Sequence, residues 1–148
     1  MAFALGTYRY FMPLVYCSGA CALITFLLLS SDPAYAEWKK VDSPAAAGGY
    51  SAYVDLNTIR RKGGMVRVWY LLNYKAQQTV LQGSYLSQKA QAQFVCADAR
   101  MRVLTFTNFS GHMGSGDIVN NNIDEDTWRP LATRSVGHAI REVACGKR

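Results

Sequence analysis

The sequence predicts an α+β domain: a meandering antiparallel sheet with a C-terminal helix packed on one face, one disulfide, and an N-terminal signal-peptide helix in front. Three observations carry this reading. From Glu37 to Asn122, short runs rich in β-branched and aromatic residues alternate with clusters of Gly, Pro, Asn and Asp. The closing stretch "SVGHAIREVACGKR" places apolar residues at helical spacing. Two cysteines, Cys96 and Cys145, remain once the N-terminal segment is set aside.

That segment differs from the rest of the chain. Arg9 is its only basic residue, and "FMPLVYCSGACALITFLLL", from Phe11 to Leu29, carries no charge. A basic start, an apolar run and the small-x-small ending Ala34-Tyr35-Ala36 describe a secretory signal peptide. Cleavage is expected between Ala36 and Glu37, giving a signal peptide over 1–36 and a mature domain over 37–148. The rival readings are an uncleaved anchor, since the apolar run is about long enough to span a bilayer, and lipid attachment at Cys21. The Ala-Tyr-Ala ending argues against the first. Against the second, Ser18-Gly19-Ala20 lacks a branched apolar residue, and the most apolar stretch follows Cys21. Every version takes the chain out of the cytoplasm.

The elements of the mature domain follow in order. "EWKKV" reads as a first short strand, broken by "DSPAAAGG". "YSAYVDL" is a second strand, and "DLNTI" turns. Arg60-Arg61-Lys62 before Gly63-Gly64 reads as a solvated turn. "MVRVWYLLNY", Met65 to Tyr74, is the strongest strand signal. Val66, Val68, Tyr70, Leu72 and Tyr74 share one face and Met65, Arg67, Trp69, Leu71 and Asn73 the other. Both faces carry apolar residues, so the strand is central, with Trp69 and the tyrosines as core and sheet cover. "GSYLSQKAQAQFVC" and "MRVLTFTNFSG" are the next two strands, joined at "ADAR". A glycine-rich stretch follows, then the short strand "DIVNNN" and the loop "DEDTWRP". In the final helix Val136, Ile140, Val143 and Ala144 form one face; Ser135 caps its start and Gly146 ends it. About ten residues long and containing Gly137, that helix is marginal alone.

In an exported domain, Cys96 and Cys145 read as a disulfide closing a loop of about 50 residues, worth about 4 kcal/mol on the chain-entropy model. The other reading is two free buried thiols; their spacing excludes a CxxC pair.

The mature part keeps all of the chain's net charge of +6. The basic residues are scattered, and an exported domain rarely meets nucleic acid. Anionic partners such as lipopolysaccharide, glycans or acidic proteins suit the charge better.

Catalytic and metal chemistry find little support. His112 and His138, the two histidines, lie in different elements without ligand spacing; His138 sits on the polar side of the helix. Ser110, His112 and Asp117 lack a nucleophile elbow. Asp124, Glu125 and Asp126 read as a solvated loop, and the sequon at Asn108 falls in a strand. In "FSGHMGSGDIV" the order Gly111-x-x-Gly114-x-Gly116, with no following helix and Asp117 where a Lys-Ser/Thr would stand, fits neither nucleotide loop. Glycines between strands supply positive φ or a bulge. No catalytic residue, cofactor or metal ligand is assigned.

The order of these segments resembles the surface-adhesin protein E family of Gram-negative bacteria. Asp55, Thr58 and Ile59 match its Asp-x-x-Thr-Ile, and Val66, Trp69, Leu71 and Tyr74 its central strand. Tyr85, Ser87 and Cys96 follow, then Arg102 and Leu104. Ser110, Gly111, Met113, Gly114 and Gly116 match its turn signature, ahead of Trp128 and Cys145. One departure is Val95, where an acidic residue is expected. His112 is outside the pattern. The resemblance implies an antiparallel sheet with helical packing and a binding role toward host matrix or serum proteins. The matched types are mostly scaffold types.

The resulting expectation is an exported, non-enzymatic binding protein of the periplasm or outer surface. It would contact a protein or glycan, and neither nucleic acid nor, once cleaved, the membrane interior. The partner-contact loop would be His112, Met113 and Ser115. The alternative is a periplasmic accessory protein that inhibits an envelope enzyme or binds a small anionic ligand. Homodimer formation stays open.

Overall fold

The computed structural model describes residues 37–42, 49–122 and 127–146, all within the unit that runs from residue 36 to residue 148. The expected signal peptide over 1–36 and the acidic run Asp124–Asp126 lie outside the described residues.

Among the described residues, eight strands form one antiparallel sheet: β1 (Trp38–Val41), β2 (Tyr50–Asp55), β3 (Arg60–Lys62), β4 (Met65–Val80), β5 (Gly83–Val95), β6 (Arg100–Phe109), β7 (Ile118–Asn122) and β8 (Arg129–Pro130). Their order is β1-β2-β4-β5-β6-β7, with β3 paired to β4 and β8 to β6. Neighbours in sequence are mostly neighbours in space, the meander expected from short connections. The β4–β5 hairpin extends past the expected end at Tyr74, through a register shift between Asn73 and Gln78, to a tip at the fully exposed Leu81.

Alternation along the strands sorts side chains to two faces. On one face Val41, Ala52, Val54, Val66, Val68, Tyr70, Ala90, Ala92 and Phe94 are buried, and helix α1 (Val136–Cys145) closes over them with Ile140 and Ala144. Ser135 caps α1, its hydroxyl accepting from the His138 amide, and Gly146 ends it at φ 83°. Gly137 is buried where α1 meets Leu131 and Met101; a Cβ there would lie 2.6 Å from Leu131 Cδ2. That approach accounts for a helix-weakening residue in so short a helix.

The C-terminal end of α1 is tied down three ways. Cys96 and Cys145 form the disulfide, with Cα atoms 5.7 Å apart. The Arg61 guanidinium donates to the Ala144 carbonyl at 2.6 Å, and that of Arg141 to the Cys96 carbonyl at 2.9 Å. Cations bonded to the last carbonyls of a helix also oppose its dipole favourably.

Beyond α1 the same face carries a polar ladder and a tyrosine cluster. Gln88 Nε2 donates to Asn108 Oδ1 at 3.0 Å, and Asn108 Nδ2 to Asn120 Oδ1 at 2.7 Å, so buried Asn108 is satisfied from both neighbouring strands. Tyr74 lies between Tyr50 and Tyr85, with ring centroids 5.7 and 5.5 Å away. Burial, then the neighbouring phenols of Tyr85, Tyr70 and Tyr50, push the Tyr74 pKa well above the ordinary phenol value.

Candidate functional site: the open face of the sheet

Among the described residues, no α-helix lies over the second face. It collects Trp38 and Lys40 from β1, Tyr53 from β2, Arg60 and Lys62 from β3, and Met65, Arg67, Trp69, Leu71 and Asn73 from β4. From β5 it takes Ser87, Lys89, Gln91 and Gln93. Two parts of it are built in detail.

At one end, the glycine-rich segment folds back onto the sheet rather than projecting as a free tip. Ser87 is fully buried; its hydroxyl donates to the Gly111 carbonyl at 2.6 Å and accepts from the Gly114 amide at 2.8 Å. Asn73 Oδ1 accepts from the Met113 amide at 2.8 Å and lies 3.2 Å from His112 Nδ1. The segment thereby covers Leu71, which is 1% exposed although it faces away from the main core. Within the loop, Ser110 Oγ accepts from the Asp117 amide at 2.9 Å and Ser115 Oγ donates to the His112 carbonyl at 2.6 Å. Gly111 packs so tightly against Ser115 that a Cβ would lie 2.5 Å from its Oγ; Gly116, at φ 79°, would drive a Cβ into Ser110. At its three glycines the turn signature is therefore a set of close approaches and left-handed positions that favour glycine.

His112, Met113 and Ser115, expected as a contact loop, are all exposed, and Met113 adopts φ 55°. The Ser110 hydroxyl is engaged by a backbone amide and the His112 ring faces Asn73, so Ser110, His112 and Asp117 are not assembled as a nucleophile, base and orienting acid. Among the described residues, no three His, Cys, Asp or Glu side chains are grouped as metal ligands. His138 lies on α1, its Nδ1 4.0 Å from Glu142.

At the other end is a groove of about 260 Å³ lined by Arg60, Lys62, Met65, Arg67 and Gln93. Here the structure corrects the expectation of a turn at Arg60-Arg61-Lys62. The three residues form β3, with Arg60 opposite Arg67 and Lys62 opposite Met65. Period two sends Arg61 to the helix side, where it caps α1, and Arg60 and Lys62 to the groove. Asp55, the only carboxylate within any of the eight strands, is buried and accepts from the Asn57 amide at 3.1 Å. The Arg60 guanidinium donates to the neutral carbonyls of Asn57 and Ile59 at 2.8 and 3.0 Å. Among the described residues no carboxylate pairs with Arg60, Lys62 or Arg67.

Between the two ends, Lys89 Nζ lies 5.8 Å from the Trp38 ring and 5.2 Å from the Trp69 ring, and Arg102 stacks 4.7 Å from Trp128 while donating twice to Gln93 Oε1, at 2.9 and 2.6 Å. All three tryptophans of the chain thus contact a cation of this face. Sequence reading put Trp69 among core and sheet cover; it is half-buried on the open face of the sheet, under Lys89. The period-two parity of Arg67 and Trp69 was the available signal, but Lys89 joins them only through strand register.

With this architecture in view, the model of the surface-adhesin protein E family matches residues 38–146. The chain belongs to the surface-adhesin protein E family. Solved structures agree on the fold. Crystal form II of Haemophilus influenzae protein E is 14% identical, with a TM-score of 0.51 over 72% of this chain and 95% of that one. The selenomethionine form of the same protein is also 14% identical, with a TM-score of 0.50 over 73% and 95%. Among curated proteins, none matches the sequence. The family pattern now has physical content: its Ser-Gly-x-Met-Gly-x-Gly is the segment clasped to the sheet, and its Tyr-x-Ser contributes Ser87, the hydroxyl that holds it. Family membership implies an exported protein, and among the described residues no helix is long and apolar enough to cross a membrane.

Proposed function

We propose that this chain is an exported, non-enzymatic adhesin-type binding protein that meets a protein or glycan outside the inner membrane. Residues 1–36 are removed between Ala36 and Glu37, and the mature domain works in the periplasm or at the outer surface. The observation that carries this reading is the one-sided packing of the sheet. Helix α1 covers one face, while the other keeps an array of aromatic and basic side chains bounded by the clasped loop with exposed His112, Met113 and Ser115. A broad, rigid, amphipathic face of this kind suits macromolecular contact, and the family name supports adhesion.

The test measures binding of the purified exported protein to immobilised host matrix and serum proteins, alongside adherence of wild-type and deletion strains. Saturable micromolar binding and reduced adherence of the deletion strain are expected. Absence of both, with a stoichiometric bacterial envelope partner recovered from periplasmic extract, would replace this reading by the accessory-protein one. N-terminal sequencing should begin at Glu37, and protease treatment of intact cells distinguishes surface from periplasm.

A further inference from the structure

Of the groove's cations, Arg60 donates to the carbonyls of Asn57 and Ile59, while among the described residues Lys62 and Arg67 make no side-chain hydrogen bond or ion pair that accounts for their place beside it. Arg60 and Arg67 are directly opposite each other across β3 and β4, and like charges at opposed positions destabilise a sheet. Lys62, beside them, is exposed. The fold holds three positive charges around a groove of about 260 Å³ without a carboxylate partner among the described residues. Such a groove complements a group of negative charges, and guanidinium forks match the geometry of sulfate and phosphate oxygens.

We propose that this groove binds a sulfated polysaccharide, with sulfate groups held by Arg60, Lys62 and Arg67 and the chain running across β5 and β6 toward β7. This rests on the reading of the protein as an exported adhesin. Neighbouring strands lie about 4.8 Å apart, so β3 and β7 are separated by roughly 19 Å across the sheet, and the four residues from Gln93 to Lys89 along β5 make the path roughly 23 Å, the scale of a short oligosaccharide. Along it the face offers the ammonium of Lys89, then a second cleft lined by Thr105, Thr107, Asn121 and Asn122, whose hydroxyls and amides suit sugar hydroxyls.

Two features favour this ligand over other polyanions. Single-stranded nucleic acid is held by bases stacking on open aromatic rings, and here Lys89 stands over Trp38 and Trp69 and Arg102 over Trp128. An anionic membrane would be met by apolar side chains beside the cations. Met65 is the one apolar residue lining the groove and is half-buried; among the described residues the exposed large hydrophobics are Leu81, Met113 and Ile118, on the hairpin tip, the clasped loop and β7.

The exported protein is titrated with a heparin-derived oligosaccharide, its desulfated counterpart, a single-stranded oligonucleotide of matched charge, and vesicles containing anionic phospholipid. Tryptophan fluorescence reads the face directly, because all three tryptophans lie on it. Saturable binding of the sulfated chain alone is expected, with log affinity falling against log salt at a slope of about −2 to −3 for three contacts. The K62Q/R67Q protein should bind about tenfold more weakly, with the slope reduced by about 1 to 2. K39Q/K75Q, which removes two charges away from the groove, should stay within about twofold. Both positions in each variant are exposed, and unchanged thermal unfolding verifies the fold. Equal binding of the desulfated chain, equal or tighter binding of the oligonucleotide or the vesicles, or indifference to K62Q/R67Q would each overturn the assignment. A protein that adheres to matrix coats but ignores the sulfated chain would refute the groove and leave the adhesin reading standing. One that binds the chain but adheres to nothing would do the reverse.

Discussion

Removing the Ser87 hydroxyl should release the glycine-rich segment from the sheet. In Ser87→Ala the Gly111 carbonyl loses its donor and the Gly114 amide its acceptor, both at a side chain with no solvent exposure. Each hydrogen bond contributes about 1 kcal/mol net, and a buried group left unpaired costs somewhat more, so the variant should lose about 2 to 3 kcal/mol. No compensating apolar gain is available, because the new methyl would face the backbone groups it has orphaned. In urea, where a small domain has a slope of roughly 1 to 3 kcal/mol per molar, the midpoint should fall by about 1 M. Hydrogen exchange adds a local readout: the Gly114 amide should exchange at least tenfold faster, while the β4 and β5 amides under α1 change only as global stability does. A midpoint within about 0.3 M of wild type, with Gly114 protection intact, would show that packing on Leu71 rather than Ser87 holds the loop.

Three further outcomes follow from the same geometry. Gly116→Ala places a side chain at φ 79° against Ser110 and should cost about 1 to 2 kcal/mol from the backbone alone, read as a lower urea midpoint. Replacing Cys96 and Cys145 by alanine opens a loop with a sequence separation of 49 and should cost about 4 kcal/mol, measured by unfolding against the oxidised protein. The Tyr74 phenol has its pKa raised in the fold, so its contribution to stability is full below the ordinary phenol value near 10 and is lost as pH rises above it. Tyr74→Phe should flatten that alkaline decline, followed by unfolding midpoints on either side of pH 10.

How much was legible depends on the range over which each signal acts. The β4 strand and helix α1 announce themselves because ten residues of period two, or of 3.6, repeat a pattern often enough to outweigh local propensity. Ser135 and Gly146 were equally readable, since caps are set by the residue at the boundary itself. Arg60-Arg61-Lys62 was misread as a turn because three residues beside two glycines hold too little of any period; the pairing of Arg60 with Arg67 is what makes them a strand. The clasp was hidden for a related reason. Gly111 and Ser87 are 24 positions apart, and only the β4–β5 register brings Ser87 beside Asn73 to meet the loop.

The same alternation explains how one sheet can serve stability and recognition at once. Even-numbered positions of β4 and β5, from Val66 to Tyr70 and from Ala90 to Phe94, go to the core that α1 and the disulfide close. Their odd-numbered neighbours Arg67, Trp69, Lys89 and Gln93 go to the open face. A one-residue slip would exchange the two sets, so the burial that fixes the core register also fixes where the cations stand. The Ser87 clasp and Arg61 tether the two ends of this face, one to the glycine-rich loop and one to the last turn of α1. A surface specified in this way is preorganised by the core beneath it, and the cost of ordering its side chains is met in folding rather than at the moment of binding.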